Sequence, residues 1–282
     1  MNPFKIQALP ILLSLTLSTC LIEEKTSETL KTTKTNFLPR SHPDTKINSN
    51  MTYIPEGPFL FGVTEHQFQY YLSQIKFNFP GMVNKLRKDF TIPPKEIFEL
   101  PFYISVFEIT NREYKTFIDS SSYIPSSRKN YLKHWKNGSY PEWSADFPVV
   151  WVSQSDALAY CHWINGDLPT ETQWEKTARG PSDVRGFPWG NEEPSPSRAN
   201  YSSKQLEPVG DRPGDISPFK VFDLGGNAAE HTKSKKPGLT TQSVIRGGSF
   251  LGNSQYTLIG VRLRQAKKNQ RFEDVGFRCV SY

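Results

Sequence analysis

The chain has 282 residues, room for one large domain or two small ones with a substantial core. Hydrophobic residues are only 36% while aromatics reach 13%, so the core must draw on Phe, Tyr and Trp, and 22 Pro with 18 Gly argue against long helices. The formal charge of +6 is spread without a dense basic stripe, the nearest groupings being Lys233, Lys235, Lys236 and Lys267, Lys268, so nucleic acid is not an expected partner.

Residues 1–19 read as an address rather than as a domain. Lys5 precedes an apolar run from Ile6 to Leu17, which is too short to span a bilayer and matches the core of a signal peptide. Leu17-Ser18-Thr19-Cys20 then resembles the bacterial lipobox, whose cysteine is lipidated and becomes the new amino terminus. Residues 20–50 are rich in Thr, Ser, Lys, Glu and Asn and cannot bury enough apolar surface to offset ordering entropy, so a flexible tether is expected. The expected location is the bacterial cell envelope, in the periplasm or at the cell surface, with the membrane as a partner through the lipid.

The domain is expected over 51–282. Tyr53 to Gly62 reads as strand, turn, strand, and 63–99 as an insertion with some helix. Pro101 to Ile109 is expected as a strand. Thr110-Asn111-Arg112-Glu113 is a capping box that opens a helix with Tyr114, Phe117 and Ile118 on its inner face. Ser153-Gln154-Ser155-Asp156 opens a second helix running to Ile164, with Ala157, Leu158, Cys161 and Ile164 inward and Gly166 as a stop. Thr170-Glu171-Thr172-Gln173 opens a third, which carries Trp174 and Ala178 and ends at Gly180-Pro181. Beyond Pro181 only loops and short strands are expected, among them Val244–Arg246 and Val275–Val280. The pattern is that of an α+β domain with few helices.

Three cysteines are present, Cys20, Cys161 and Cys279. With Cys20 acylated, the remaining two either pair in an oxidising compartment or stay as buried thiols. A bridge would close a loop of about 118 residues, worth about 4–5 kcal/mol in the chain-entropy picture.

The motifs resemble one family. Glu108-Ile109-Thr110-Asn111 after Pro101-Phe102-Tyr103, the block from Phe147 to Ser153, Ala157 to Trp163, and Asp167-Leu168-Pro169-Thr170-Glu171-Thr172-Gln173-Trp174-Glu175 come in its order. So do Phe187-Pro188-Trp189-Gly190, Ala199-Asn200-Tyr201, Gly225-Gly226-Asn227-Ala228-Ala229-Glu230, Arg246-Gly247-Gly248-Ser249-Phe250 and Gly276-Phe277-Arg278-Cys279. Over about 51–282 the chain is similar to the formylglycine-generating-enzyme, or sulfatase-modifying-factor, family. The resemblance implies a C-type-lectin-like α+β fold with short strands and much irregular structure, and a Cys161–Cys279 disulfide.

Active members of that family bind copper(I) through two cysteines shortly after the Arg-Gly-Gly-Ser strand, soft thiolates for a soft ion. Here Gly252 and Thr257 stand at those positions, and no cysteine lies between Cys161 and Cys279. Copper is therefore not an expected cofactor, and no catalytic residue is assigned. The five histidines, His42, His66, His134, His162 and His231, form no HxxxH or HExxH pair.

The resemblance also implies calcium at Asp223, Gly226, Ala228 and Glu230, where carboxylates and main-chain carbonyls suit a hard cation. Ala229 and His231 replace the family's tryptophans beside that Glu. A second family calcium site would begin at Asn200 and Tyr201, but only six residues separate Tyr201 from Pro208 and its later ligands have no counterpart. Arg246, Arg262, Arg264 and Arg278 are expected to line or support the groove. The functional expectation is an exported lipoprotein that acts as a binding or accessory module for a protein, peptide or glycan. The alternatives are a divergent oxidoreductase of the cell envelope and a purely structural surface lipoprotein.

Overall fold

In the computed structural model the described residues are 50–75, 81–181, 184–236, 238–262 and 264–282. Cys20, the 1–19 segment and all but Asn50 of the expected tether lie outside them, as does the side chain of Arg264. Among the described residues no helix is long and apolar enough to cross a membrane.

Four of the five α-helices open on a capping box, in which a hydroxyl side chain and a residue three positions later satisfy each other's backbone N–H groups. The helices α3 (Asn111–Ser121), α4 (Gln154–Trp163) and α5 (Glu171–Arg179) start at Thr110, Ser153 and Thr170, as the sequence indicates. The fourth box, Thr64 with Gln67, opens α1 (Glu65–Ser73) in the insertion. It has the same Thr-x-x-Gln signature as Thr170 and Gln173, so this start was legible as well. A further helix, α2 (Met82–Phe90), begins after Gly81, whose φ of +90° lies in the left-handed region.

The strands are short. The first sheet pairs β1 (Met51–Ile54) and β9 (Val280–Ser281) with β4 (Phe102–Ser105) at its centre, all antiparallel. A second sheet joins β2 (Gly57–Phe61) to β3 (Lys95–Glu99), so the strands on either side of the Pro55-Glu56 turn belong to different sheets. The third has the order β7-β6-β5-β8, with β5 (Ala229–Lys236), β6 (Leu239–Arg246), β7 (Arg264–Lys267) and β8 (Val275–Gly276). The expected strand at 101–109 is thus only Phe102–Ser105, because Arg278 takes the Ser105 and Val106 carbonyls and ends the ladder. This is an α+β fold with much irregular chain.

The core is aromatic, as composition requires. Tyr114 and Phe117 of α3, Tyr160 of α4 and Phe277 are buried together with ring centroids 5.3–6.1 Å apart. Each such ring contributes roughly 1.5–3 kcal/mol by leaving water. The Cys161–Cys279 disulfide lies in this cluster and ties α4 to the chain end. A second cluster sets Trp174 and Ala178 of α5 against Ile54, Phe102, Ile104 and Leu224. A third packs Phe68 and Tyr71 of α1 against Phe187, Leu258 and Val261, so the insertion shores up the 256–261 segment.

The two double-glycine motifs are contact surfaces. A Cβ on Gly248 would lie 2.1 Å from the Gly225 carbonyl oxygen, and one on Gly226 would lie 2.6 Å from that of Asn200. No side chain fits between these turns, so the loops after β6 and before β5 meet backbone to backbone.

Candidate functional site

The segment that follows β6 carries the family-equivalent positions. Arg246, at the strand's end, is fully buried and donates to Glu171 and Glu175, each at 2.6 Å, and to the Ile259 carbonyl. Arg262 forks onto Glu171 at 2.6 and 2.7 Å, and Arg179 donates to Glu175 at 2.8 Å and to the Gly62 carbonyl. This network clamps both ends of the 246–262 loop to α5. Burial pushes the Glu171 carboxyl up, but Arg262 and Arg246 outweigh it and hold it below its ordinary value.

Within the loop, Ser249 Oγ donates to Asp274 at 2.7 Å. The Ser202 and Ser203 N–H groups donate to the Gly252 and Phe250 carbonyls. Ser254–Thr257 then forms one 3-10 turn. Gly252 and Thr257 are both buried. The Thr257 hydroxyl turns back to the Ser254 carbonyl at 2.7 Å. A Cβ on Gly252 would come within 3.3 Å of the Ser249 oxygen and the Tyr256 ring, tight but accommodated by a small shift.

Beside this turn opens a cleft of about 580 Å³. The turn and its N-cap give it Asn253, Ser254 and Gln255, the preceding loops give Glu193 and Tyr201, and α1 with its C-cap gives Tyr70 and Gln74. Tyr70 donates to Glu193 at 2.7 Å, and Ser254 donates to Gln74 at 3.2 Å, so α1 is laced to the other walls. Burial and the Glu193 carboxylate both push the Tyr70 phenol above its ordinary value. The sequence left the insertion without a role; its α1 half is one wall of this cleft.

The candidate calcium positions come together around a buried guanidinium. Glu230 accepts from Arg278 Nε and Nη2 at 2.7–2.9 Å and from the Trp174 indole at 2.8 Å. Asp223, at φ +61°, accepts from the Gly210 N–H at 2.6 Å. Glu108 and Asp215, not singled out from sequence, complete a set of four buried carboxyls around Arg278. Burial, reinforced by Asp223, pushes Glu108 and Asp215 well above the carboxylate range. Asp223 is pushed up to about 6 by burial, against the Gly210 N–H and Arg278, which lower it. Glu108 Oε1 accepts from Ala228 N–H at 3.3 Å, while its Oε2 has no hydrogen-bond partner. Arg278 Nη2 also stands 4.0 Å from Glu108 Oε2, so the guanidinium faces both Glu230 and Glu108, and a cation would have to take the Asp223 side of this set. Among the described residues no three His, Cys, Asp or Glu side chains are spaced as a metal cage, so the Gly226 and Ala228 carbonyls would have to complete it.

The remaining expected residues are apart from one another. His162 is exposed, 3.9 Å from Asp167. His231 is buried against the Val152 carbonyl at 3.1 Å. His134 bonds Asn111 Oδ1 at 3.1 Å; Trp135 Nε1–H donates to the same oxygen, so His134 Nε2 carries a proton as well. Asn200 is held by Asn227, Gln205 and Ser203.

A family model described as the sulfatase-modifying factor enzyme 1-like domain matches residues 38–282. Formylglycine-generating enzyme of Bos taurus is 26% identical, with 86% of this chain and 76% of that protein covered. The protein named inactive C-alpha-formylglycine-generating enzyme 2 of Bos taurus is 28% identical over 67% of this chain and 80% of its own length. Among solved structures, PvdO from Pseudomonas aeruginosa superposes with a TM-score of 0.60 at 19% identity, covering 82% of this chain and 93% of that one, a likeness of fold.

Proposed function

The chain belongs to the sulfatase-modifying factor enzyme 1-like family, and we propose that it serves there as a binding module of the bacterial cell envelope rather than as a copper-dependent generator of formylglycine. One observation carries the reading. The domain has two cysteines, and they are bonded to each other, so no thiolate stands near Gly252 or Thr257 to hold copper(I). The 28% identity to a relative whose name says it is inactive supports the same reading. The cleft beside the 3-10 turn is the ligand site in this proposal. The Leu17-Ser18-Thr19-Cys20 pattern supports lipidation of Cys20 and anchoring through the 20–50 tether.

The test is copper(I) titration of the full chain in detergent, under anaerobic conditions against a competing chelator. It is followed by aerobic incubation with a cysteine-containing sulfatase peptide and mass spectrometry of the product. The expected result is no copper retention and no conversion of cysteine to formylglycine. Gly252→Cys/Thr257→Cys is expected to gain copper(I) affinity, which shows that the missing thiolates are what matters. Oxidation by the unaltered chain would overturn the proposal.

Calcium belongs to this proposal as a structural ion. The support is the excess of buried carboxyls over Arg278, which bonds Glu230 and stands 4.0 Å from Glu108 Oε2, an oxygen without a hydrogen bond. Asp223 and Glu108 would hold it with the Gly226 and Ala228 carbonyls, while Glu230 stays with Arg278. Calcium addition after chelation is expected to raise the unfolding temperature, and Asp223→Asn is expected to abolish the rise.

A further inference from the structure

The cleft beside the 3-10 turn contains polar groups that the protein leaves unused. Gln255 is 93% buried as a residue, lines the cleft, and its amide has no partner among the described residues; Tyr201, 91% buried as a residue, turns its hydroxyl to the cleft without a partner there. Neither polar group is sealed from solvent, so both open onto the cleft, where a ligand can take the hydrogen bonds that the protein does not use. Asn253 and the carboxylate of Glu193 stand at the rim.

The chemistry of these walls narrows the ligand. No Lys or Arg lines the cleft, so phosphate, sulfate and carboxylate groups have nothing to pair with there. Gln255, Asn253 and Tyr201 are each donor and acceptor at once, as hydroxyl and amide groups of a ligand are. The partly exposed ring of Tyr70 adds an apolar surface. Its walls are a helix, loops and a 3-10 turn, so no free strand edge is available to pair with an extended peptide. The volume of about 580 Å³ lies within the roughly 300–1,000 Å³ usual for small-ligand sites.

We propose that this cleft binds a saccharide bearing N-acetyl groups, with the acetamido amide paired to Gln255, ring hydroxyls to Tyr201 and Glu193, and Tyr70 of the insertion packed on a ring face. The proposal rests on the reading of the domain as a binding module and names that module's ligand. Because α1 and its C-cap supply Tyr70 and Gln74, the insertion sets the specificity of this chain.

The experiment is calorimetric titration of the full chain in detergent with chitotriose, with a sulfatase cysteine peptide as the competing probe. Saturable binding of chitotriose is expected, weakened about tenfold in Gln255→Ala and in Tyr201→Phe, as one lost hydrogen bond implies. Both variants should keep the parent unfolding temperature within a few degrees; a variant that does not is replaced by Tyr70→Ala, which should weaken binding similarly. Absence of saturable binding up to millimolar chitotriose, undiminished binding in the folded variants, or binding of the peptide in its place overturns the proposal. Failure here with the peptide left unoxidised leaves the non-catalytic reading standing, whereas oxidation of the peptide defeats that reading whichever way chitotriose behaves.

Discussion

Removing Glu175 should cost more than removing the arginine that faces it, because the buried network carries an excess of positive charge. Two carboxylates, Glu171 and Glu175, meet three guanidiniums, Arg179, Arg246 and Arg262. Arg246→Met leaves each carboxylate with a partner: Glu171 keeps Arg262, and Glu175 keeps Arg179. Its cost should sit near the lower end of the roughly 3–5 kcal/mol for breaking a buried pair. Glu175→Leu leaves one carboxylate against three guanidiniums, strips Arg179 of its carboxylate, and deprives the Gly62 N–H of its acceptor at 2.6 Å. That variant should lose about 5 kcal/mol from the pair, plus about 1–3 kcal/mol for the stranded amide. Against a typical total of about 5–15 kcal/mol, it is expected to fold marginally or not at all. Glu175→Gln keeps an acceptor but loses the charge and should fall between the two. Urea unfolding of the three variants gives the order directly. Arg246→Met costing as much as Glu175→Leu, or a neutral Glu175→Gln, would refute the charge argument. Acid gives an independent check: the Glu171 carboxyl is held below its ordinary value in the fold, so its stabilisation is present above the unfolded pKa and is lost as pH falls through the folded one.

Three further outcomes are expected. Cys161→Ala/Cys279→Ala opens a loop of 118 residues and should lower stability by about 4–5 kcal/mol in urea titrations, with reducing agent giving a comparable loss. His134 is pulled down to about 4 by burial, so the fold keeps it neutral while the unfolded chain protonates near 6.5. Its stabilisation is intact above about 6.5 and is lost between there and about 4, amounting to about 3 kcal/mol; His134→Gln should flatten unfolding curves across that window. Cys20→Ser should abolish incorporation of a labelled fatty acid in a bacterial host while leaving the domain's unfolding temperature unchanged.

Local chemistry was legible wherever a few neighbouring residues decide the outcome. The capping boxes at Thr110, Ser153 and Thr170 started helices where the pattern placed them, since a cap needs only its own four residues. The Thr64 box carries the same signature and starts α1 in the same way. The strand β5 was not legible: Ala229–Lys236 alternates charge and polarity without an apolar face, and it is a strand because β6 and β8 pair with it.

The sequence by itself determined the family order of motifs, the absence of thiolates at Gly252 and Thr257, and which two cysteines remained to pair. Only the tertiary structure decided what those positions face. Glu108 and Asp215 join Asp223 and Glu230 across separations of up to 122 residues, so the upward shift of Glu108, Asp215 and Asp223 is invisible to any local pattern. The cleft follows the same logic. Gln255 and Tyr201 are ordinary polar residues along the chain, and they line one cleft because α1, far away in sequence, closes the third wall. Spacing along the chain sets which chemistry is available; burial and long-range packing set which of it is left unsatisfied and free to meet a ligand.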